Sequence, residues 1–323
     1  MTVATGYAYL HEAGRGMVGV LSDSRLTWED GRYAETAVKA HDLGSRVAVV
    51  SAGLGLVGPY AAEITRSVID TSSERADQPP IGLWDAVRLF CHFVREIHRE
   101  LRTAHADHQP QRVSNEFAIV GFYGDGAPGI AHAKLSPSHE GVQFWRPQET
   151  ELTSVTIGAS PAKDIVAAAY ADYRPSRDPH WNEAVAGAML YAMRAEGEPF
   201  RSVGGGLALG FCTMAHQRFV WPAVEVSGDR YFRGFLIPPS HTGPNVRADS
   251  VLRLSVDVEY AAELDRRIED AKHAPVTKAG KAPAYECSLD ELFGEGAIFR
   301  RSAEPDALRG GSSGPSLVGP SIE

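Results

Sequence analysis

The sequence predicts an α+β protein built as a four-layer αββα sandwich, with two antiparallel sheets lying face to face between pairs of helices. The first observation is the order of the predicted elements, which is strands, two helices, strands, two helices and strands. Two helices follow each group of strands, which suits two stacked sheets with helices outside them. The second is that 43% of the 323 residues are apolar, as expected for a packed globular core.

The N-terminal elements are predicted as a β-hairpin followed by a third strand. Residues 2–9 have strand-like composition, residues 11–16 form a loop, and residues 17–22 return as a second strand. Such a hairpin brings Asp23 back beside Thr2. A third apolar run covers residues 46–51 and ends at Ala52 and Gly53.

The later elements continue this alternation. A helix is predicted over residues 59–69, and residues 70–80 form a loop that ends in two prolines. Apolar residues then recur at helical spacing and predict a long amphipathic helix to about residue 104; they are Leu83, Val87, Phe90, Val94, Ile97 and Leu101. The remaining predicted elements are strands near 117–122, 130–135, 142–145 and 153–157, helices over 161–171 and 181–195, and strands over 207–213, 218–226 and 231–237.

We divide the chain into three parts. Residues 2–238 form the main domain and residues 239–300 a C-terminal extension, in which a strand is predicted over 251–258 and a charged helix over 260–271. Residues 301–323 are predicted as a flexible tail, because residues 310–315 consist of Gly, Ser and Pro.

Composition excludes several classes of function. The formal net charge of −9, without a basic cluster, argues against nucleic-acid binding. No apolar run of about eighteen residues predicts a membrane span, and no secretory signal is recognised, so a cytoplasmic location is the default expectation.

Neither a cofactor nor a metal site is indicated. The three cysteines, Cys91, Cys212 and Cys287, are far apart in sequence and are predicted to be reduced and structural. His92 and His98 are six residues apart on the long helix, which does not place two ligands on one face, and we expect both on the helix surface.

Thr2 directly follows Met1 and is small enough for methionine aminopeptidase to remove Met1. The mature chain would then begin with a threonine that carries a hydroxyl nucleophile and a free α-amine base on one residue. We therefore expect Met1 to be absent from the mature protein.

The context of Thr2 resembles a known family. Ser22-Asp23-Ser24-Arg25, then Lys39, an apolar strand, and Ala52-Gly53 before a helix resemble the front of a proteasome-type β subunit. The bacterial relatives are the HslV peptidase and the Anbu-type proteasome homologues, which are N-terminal nucleophile (Ntn) hydrolases. The resemblance continues more weakly to about residue 237 in three segments, which are residues 117–129 with Gly141, residues 156–160, and residues 203–206.

The resemblance implies a catalytic site with defined roles. Thr2 is the nucleophile, its α-amine is the base, and Gly53 offers its backbone N–H to the oxyanion. Lys39 supplies a positive charge that favours the deprotonated hydroxyl and amine, and Asp23 pairs with Lys39 and fixes it.

The second half of that site departs from the family pattern. The turn serine of the family falls on Ala159, and we expect Ser160, one residue later, to supply the hydroxyl. The late aspartate falls on Arg201, which we expect to be neutralised by a carboxylate or to point away from Thr2. The serine of the last turn falls on Gly204.

Three functions follow as hypotheses. The first is a cytoplasmic threonine peptidase that acts on peptides or unfolded proteins; by resemblance it assembles into a homo-oligomeric ring and has a possible ATPase unfoldase partner. The second is a non-catalytic scaffold or binding subunit of the same fold, favoured by Ala159, Arg201 and Gly204. The third is an amidase of the same nucleophile class that acts on a small molecule.

Overall fold

The computed structural model shows an α+β protein with antiparallel sheets. It describes residues 2–10, 16–27, 33–34, 37–53, 55–73, 80–104, 114–136, 139–149, 151–158, 162–171, 189, 204–216, 218–226, 229–238, 251–254, 282–294 and 303–309.

Strands and helices alternate in groups along the chain. The strands are β1 (Val3–Leu10), β2 (Gly16–Ser22), β3 (Leu26–Thr27), β4 (Tyr33–Ala34), β5 (Ala40–Gly44), β6 (Val47–Ala52), β7 (Asn115–Phe122), β8 (Pro128–Ser136), β9 (His139–Trp145), β10 (Leu152–Gly158), β11 (Ala208–Thr213), β12 (Ala223–Val226), β13 (Asp229–Phe232), β14 (Phe235–Leu236), β15 (Val251–Leu254) and β16 (Tyr285–Ser288). The helices are α1 (Val57–Ser73), α2 (Leu83–Ala104), α3 (Ala162–Ala171) and α4 (Leu289–Phe293), with a 3₁₀ turn over Asp306–Leu308.

Two antiparallel sheets form the body of the protein. One has six strands in the order β16-β9-β8-β7-β6-β5, and the other has four in the order β10-β1-β2-β11. Their facing sides share one apolar cluster, to which the four-stranded sheet contributes Ala4, Ala8, Val18 and Val20 and the six-stranded sheet contributes Ala48, Val50, Ala118 and Val120. The many small side chains in this cluster allow the sheets to approach closely; a Cβ atom on Gly6 would lie 2.8 Å from Val120 Cγ1.

Helices α1 and α2 cover the other face of the six-stranded sheet. On α2, Leu83, Val87, Phe90 and Val94 are fully buried at the spacing that the sequence predicts. The helix ends at Ala104, so the predicted long amphipathic helix is confirmed. Within the described part of the chain, none of the helices combines the length and the apolar character needed to cross a membrane.

The predicted second pair of helices is described only in part. Helix α3 agrees with the helix predicted over residues 161–171 and contacts β10 and β1. Of residues 181–195, only Met189 belongs to the described part of the chain, where it is helical and buried.

The predicted boundary at residue 238 does not separate two packing units. Strand β16 pairs with β9 at the edge of the six-stranded sheet, and Leu289 and Leu292 join the core beneath α2. The buried guanidinium group of Arg88 on α2 donates hydrogen bonds to the carbonyl oxygens of Leu292 (2.9 Å) and Phe293 (3.2 Å). This part of the extension therefore completes the core of the main domain.

The predicted tail also begins too early. Glu304 accepts a 2.8 Å hydrogen bond from the backbone N–H of Gly124, and Leu308 is fully buried. Arg146 donates a 2.7 Å hydrogen bond to the carbonyl oxygen of Leu308. Residues 303–309 are thus packed on the six-stranded sheet, whereas residues 310–323 lie outside the described residues. In the extension, the strand predicted over 251–258 appears as β15, and the helix predicted over 260–271 is likewise outside them.

Candidate active site

Asp23 reaches the start of β1 because β1 and β2 form an antiparallel hairpin. Ala4 lies opposite Ser22, so Asp23 follows directly beside Val3. The backbone N–H of Val3 donates to Asp23 Oδ1 at 3.2 Å, and the backbone N–H of Asp23 donates to the Val3 carbonyl at 3.3 Å. The residue after Thr2 is therefore held on both its N–H and its C=O groups, and Thr2 itself is buried.

Lys39 joins this hairpin from the opposite sheet. It directly precedes β5, and its carbonyl oxygen accepts a 3.1 Å hydrogen bond from the backbone N–H of Ser51 on β6. Lys39 Nζ lies 2.9 Å from Asp23 Oδ1 and also donates to the carbonyl oxygen of Arg25. The predicted ion pair between Asp23 and Lys39 is thus confirmed, and it bridges the two sheets at the end that carries Thr2.

The ion pair is almost completely removed from solvent. The side chains of Lys39 and Asp23 are 7% and 0% exposed. Burial raises the pKa of the Asp23 carboxyl above its usual value, while the Lys39 ammonium and the N–H groups of Gly204 and Val3 act in the opposite direction. All three partners of the carboxylate are hydrogen-bond donors, and three donors are best satisfied by the ionised, acceptor-only form.

Gly204 closes the other side of Asp23. Its N–H donates to Asp23 Oδ2 at 3.2 Å, and its carbonyl oxygen accepts from the N–H groups of Ser24 (3.1 Å) and Arg25 (3.0 Å). A Cβ atom at this position would lie 2.5 Å from Arg25 Nη2. A serine here would therefore have to displace the Arg25 guanidinium, which is the far end of a flexible side chain.

Gly53 has a backbone conformation that requires glycine. Its φ angle is +122°, and a Cβ atom would lie 2.6 Å from Asn115 Oδ1 and closer still to the carbonyl oxygen of Ser114. Gly53 directly follows β6, whose Ser51 N–H bonds to Lys39. Gly53 therefore lies at the same end of β5 and β6 as Lys39.

His98 differs from its predicted position on the helix surface. It is 6% exposed, and its Nε2 atom accepts a 2.7 Å hydrogen bond from Asn115 Nδ2. His92 is half-buried. The helical spacing of His98 could not reveal this contact, because Asn115 belongs to β7, a different element.

Gly158 packs directly on Thr2. It lies opposite Val3 at the end of β10, its φ angle is +114°, and a Cβ atom there would lie 2.7 Å from the carbonyl carbon of Thr2. Its N–H donates a 3.3 Å hydrogen bond to Glu116 Oε2. Sequence reasoning did not single out Glu116, although a charged residue near the start of an otherwise apolar strand was a visible signal.

The remaining predicted site residues are not described. Ser160 and Ala159 follow Gly158 and lie outside the described residues, as does Arg201. Among the residues that are described, no three His, Cys, Asp or Glu side chains are grouped so that they could hold a metal ion.

No protein-family model matches the chain. No curated protein matches it either.

Proposed function

We propose that this chain is a proteasome-like N-terminal threonine hydrolase that cleaves peptide bonds. The observation that carries the proposal is the buried ion pair of Asp23 and Lys39, which is bonded to the residue after Thr2. Burying two charges costs several kcal/mol per ion, roughly, unless the geometry and the hydrogen bonds compensate. Such a pair at the start of a strand, next to a buried threonine, suits a site in which a fixed positive charge acts on a nucleophile.

In the proposed reaction, cleavage of the bond between Met1 and Thr2 releases the α-amine of Thr2. Thr2 Oγ1 attacks the carbonyl carbon of the scissile peptide bond, and the α-amine accepts the hydroxyl proton, directly or through a water molecule. The amine then returns the proton to the leaving amino group. Water hydrolyses the resulting ester and regenerates the free threonine.

The other residues act through Thr2. The Lys39 ammonium stabilises the developing alkoxide and favours the neutral amine, and Asp23 holds Lys39 in place. The N–H of Gly53 is assigned to the oxyanion, at a position where a side chain would obstruct close approach. Ser160 is assigned the hydroxyl that assists the α-amine.

The same proposal includes the four-layer αββα arrangement of the Ntn hydrolases. Three observations support it, of which the first two are that α1 and α2 cover one face of the six-stranded sheet and that α3 contacts β10 and β1. Val3 and Tyr7, which alternate with the inward-facing Ala4 and Ala8, are also buried, as expected if a further layer covers that face.

The assembly, partners and compartment are part of the proposal as well. We propose a cytoplasmic homo-oligomeric ring that receives peptides or unfolded proteins, with an ATPase unfoldase as a candidate partner. Leu56, Tyr60 and Ile64 recur every four residues at α1 and are all exposed, which provides apolar surface for self-association.

A second candidate function is a non-catalytic subunit of the same fold. One observation favours it: the loop at Gly204 has no room for a serine side chain unless Arg25 moves. In that case the Asp23–Lys39 pair would serve only to join the two sheets.

The test combines intact mass with mutants. We expect the mass of the mature chain to lack Met1, and we expect Thr2→Ala and Lys39→Ala to lower peptide turnover by at least about a thousandfold, because the other groups act only through Thr2. Thr5→Ala is the matched control: Thr5 is also a buried threonine on β1, bonded to Thr156 at 3.1 Å, and its loss should leave turnover intact. Full retention of Met1, or a wild-type chain without turnover, would favour the scaffold. Unchanged turnover in Thr2→Ala would mean that the chemistry lies at another residue.

A further inference from the structure

A charged cluster, made of Glu116, Lys134, Lys163 and His132, lies beside Thr2 without a role in the chemistry proposed above. Glu116 lies on the same face of β7 as Ala118 and Val120, which face the other sheet. His132 and Lys134 likewise share a face of β8 with Ile130. The cluster therefore lies on the side of the six-stranded sheet that faces β1 and β10.

Three donors converge on the carboxylate of Glu116. Lys134 Nζ lies 3.6 Å from Oε1, and Lys163 Nζ lies 3.6 Å from Oε2. The N–H of Gly158 donates to Oε2 at 3.3 Å, and Gly158 packs on the backbone of Thr2. Glu116 thus pairs with two lysines and is linked to the proposed nucleophile through Gly158.

The two lysines leave the cluster positive. Burial alone would raise the pKa of Glu116. The charge of Lys163 and the N–H of Gly158 outweigh burial and hold this pKa below its usual value, so Glu116 is ionised at neutral pH. Burial lowers the pKa of His132, so its ring adds no charge there. One carboxylate and two ammonium groups give a net charge of +1.

Lys134 and Lys163 are also accessible. Their side chains are 44% and 30% exposed, while Glu116 beneath them is 18% exposed. In a chain with a formal net charge of −9, a positive cluster that is linked to Thr2 through Gly158 stands out. A local field of this sign concentrates anions at a site and orients them as they bind.

We propose that Lys134 and Lys163 bind a carboxylate of the peptide substrate, so that the site selects acidic peptides. Glu116 fixes the two ammonium groups and ties them to Gly158, which sets their distance from Thr2. The carboxylate comes from an Asp or Glu side chain or from the C-terminus of the peptide. This inference rests on the proposed function, because it takes Thr2 as the point at which the substrate is cut.

Binding is measured on the full chain carrying Thr2→Ala, so that turnover does not interfere. Three peptides with one neutral fluorophore and otherwise the same sequence are compared by fluorescence anisotropy: a Glu peptide with an amidated C-terminus, its Gln counterpart, also amidated, and the Gln peptide with a free C-terminal carboxylate. We expect one of the two acidic peptides to bind about tenfold more tightly than the neutral peptide; which one it is identifies the source of the carboxylate.

Charge-removing variants then assign the preference to the cluster. Lys134→Gln and Lys163→Gln should each reduce it roughly threefold to fivefold, as for a partly exposed ion pair, and Lys163→Arg should keep it. Arg309→Gln is the matched control: it removes an exposed cation near Leu308, at the opposite end of the six-stranded sheet, and should leave the preference unchanged. Thermal melts show whether each variant is folded.

Equal binding of all three peptides, including no detectable binding, would overturn the inference, as would a preference that both lysine variants retain. The proposed function is judged separately, by the turnover of the wild-type chain against Thr2→Ala. A peptidase without acidic preference therefore contradicts only the carboxylate site. An acidic preference without turnover contradicts only the peptidase.

Discussion

Gly53 is a residue of the candidate site at which the backbone leaves no room for a side chain. Its positive φ angle and the nearby carbonyl oxygen of Ser114 both exclude a side chain. We expect Gly53→Ala to lower the free energy of unfolding by about 3 kcal/mol or more, because strain and a steric clash add. Urea unfolding followed by fluorescence measures the change.

Substitution of Gly294 separates the cost of backbone strain from the cost of the steric clash. Its φ angle is +59°, but a Cβ atom there would meet no atom within 4 Å. Gly294→Ala should therefore cost only the strain, about 1–2 kcal/mol. Equal losses in the two variants would show that the close approach of Ser114 to Gly53 has no energetic effect.

His41 makes the stability of the site region depend on pH. Burial, and then the charge of Arg233, lower the pKa of His41 to about 4. In the unfolded chain the imidazole titrates near its ordinary value, about 6.5, so between these two values the unfolded state binds more protons. The stability that the neutral ring contributes is therefore present above about pH 6.5 and is lost as the pH falls to about 4.

We accordingly expect the difference in unfolding free energy between wild type and His41→Gln to change by about 3 kcal/mol between pH 7 and pH 4, with the wild type losing more. The comparison cancels most of the titration of other groups, including Asp42 next to it. Parallel urea unfolding at several pH values measures it. If the unfolding free energies of the two proteins change equally with pH, His41 is not the origin of the pH dependence.

At the level of elements, the C-terminal strand β16 and helix α4 belong to the core although they follow the predicted boundary at 238. Leu292 on α4 is 2% exposed and packs with the residues of α2. Leu292→Ala should lower the free energy of unfolding by about 2–5 kcal/mol, because it leaves a cavity. Leu236→Ala, at a leucine that is 56% exposed, is the control and should change it by less than about 0.5 kcal/mol. A small loss at Leu292 would mean that α4 is only loosely attached.

The elements that the sequence predicted well are those whose apolar pattern repeats over many residues or whose partner strand is close in sequence. Helix α2 repeats its apolar residues along its 22 residues, and β1 and β2 pair as an antiparallel hairpin, so that Asp23 returns beside Val3. Strand β16 has only four residues, of which only Cys287 is buried, and its partner β9 lies more than 130 residues earlier. No local pattern encodes such a pairing.

The residues of the candidate site also differ in how well the sequence predicts them. Asp23 and Lys39 were predicted by resemblance and by their spacing, and they meet as expected. Glu116 and its lysines were not, since β7, β8 and α3 come together there only in the folded chain. In the sequence, Gly204 departs from the family pattern, which has a serine at this position. Only the structure shows that a Cβ atom at residue 204 would meet the Arg25 guanidinium.

For the whole molecule, the C-terminal contacts decide how much of the chain is needed to fold. A chain that ends after Arg309 keeps β16, α4 and the buried Leu308, whereas a chain that ends after Pro238 loses all three. Removing them exposes the apolar face of α2 and leaves β9 as an open edge, which favours aggregation.

We expect the chain that ends after Arg309 to melt within about 2 °C of the full-length protein, because the residues removed are those whose composition predicts a flexible tail. The second should show no cooperative transition in near-UV circular dichroism. If the shorter chain instead melts cooperatively at the temperature of the full-length protein, the predicted boundary at 238 is correct and the extension packs on a domain that is already complete.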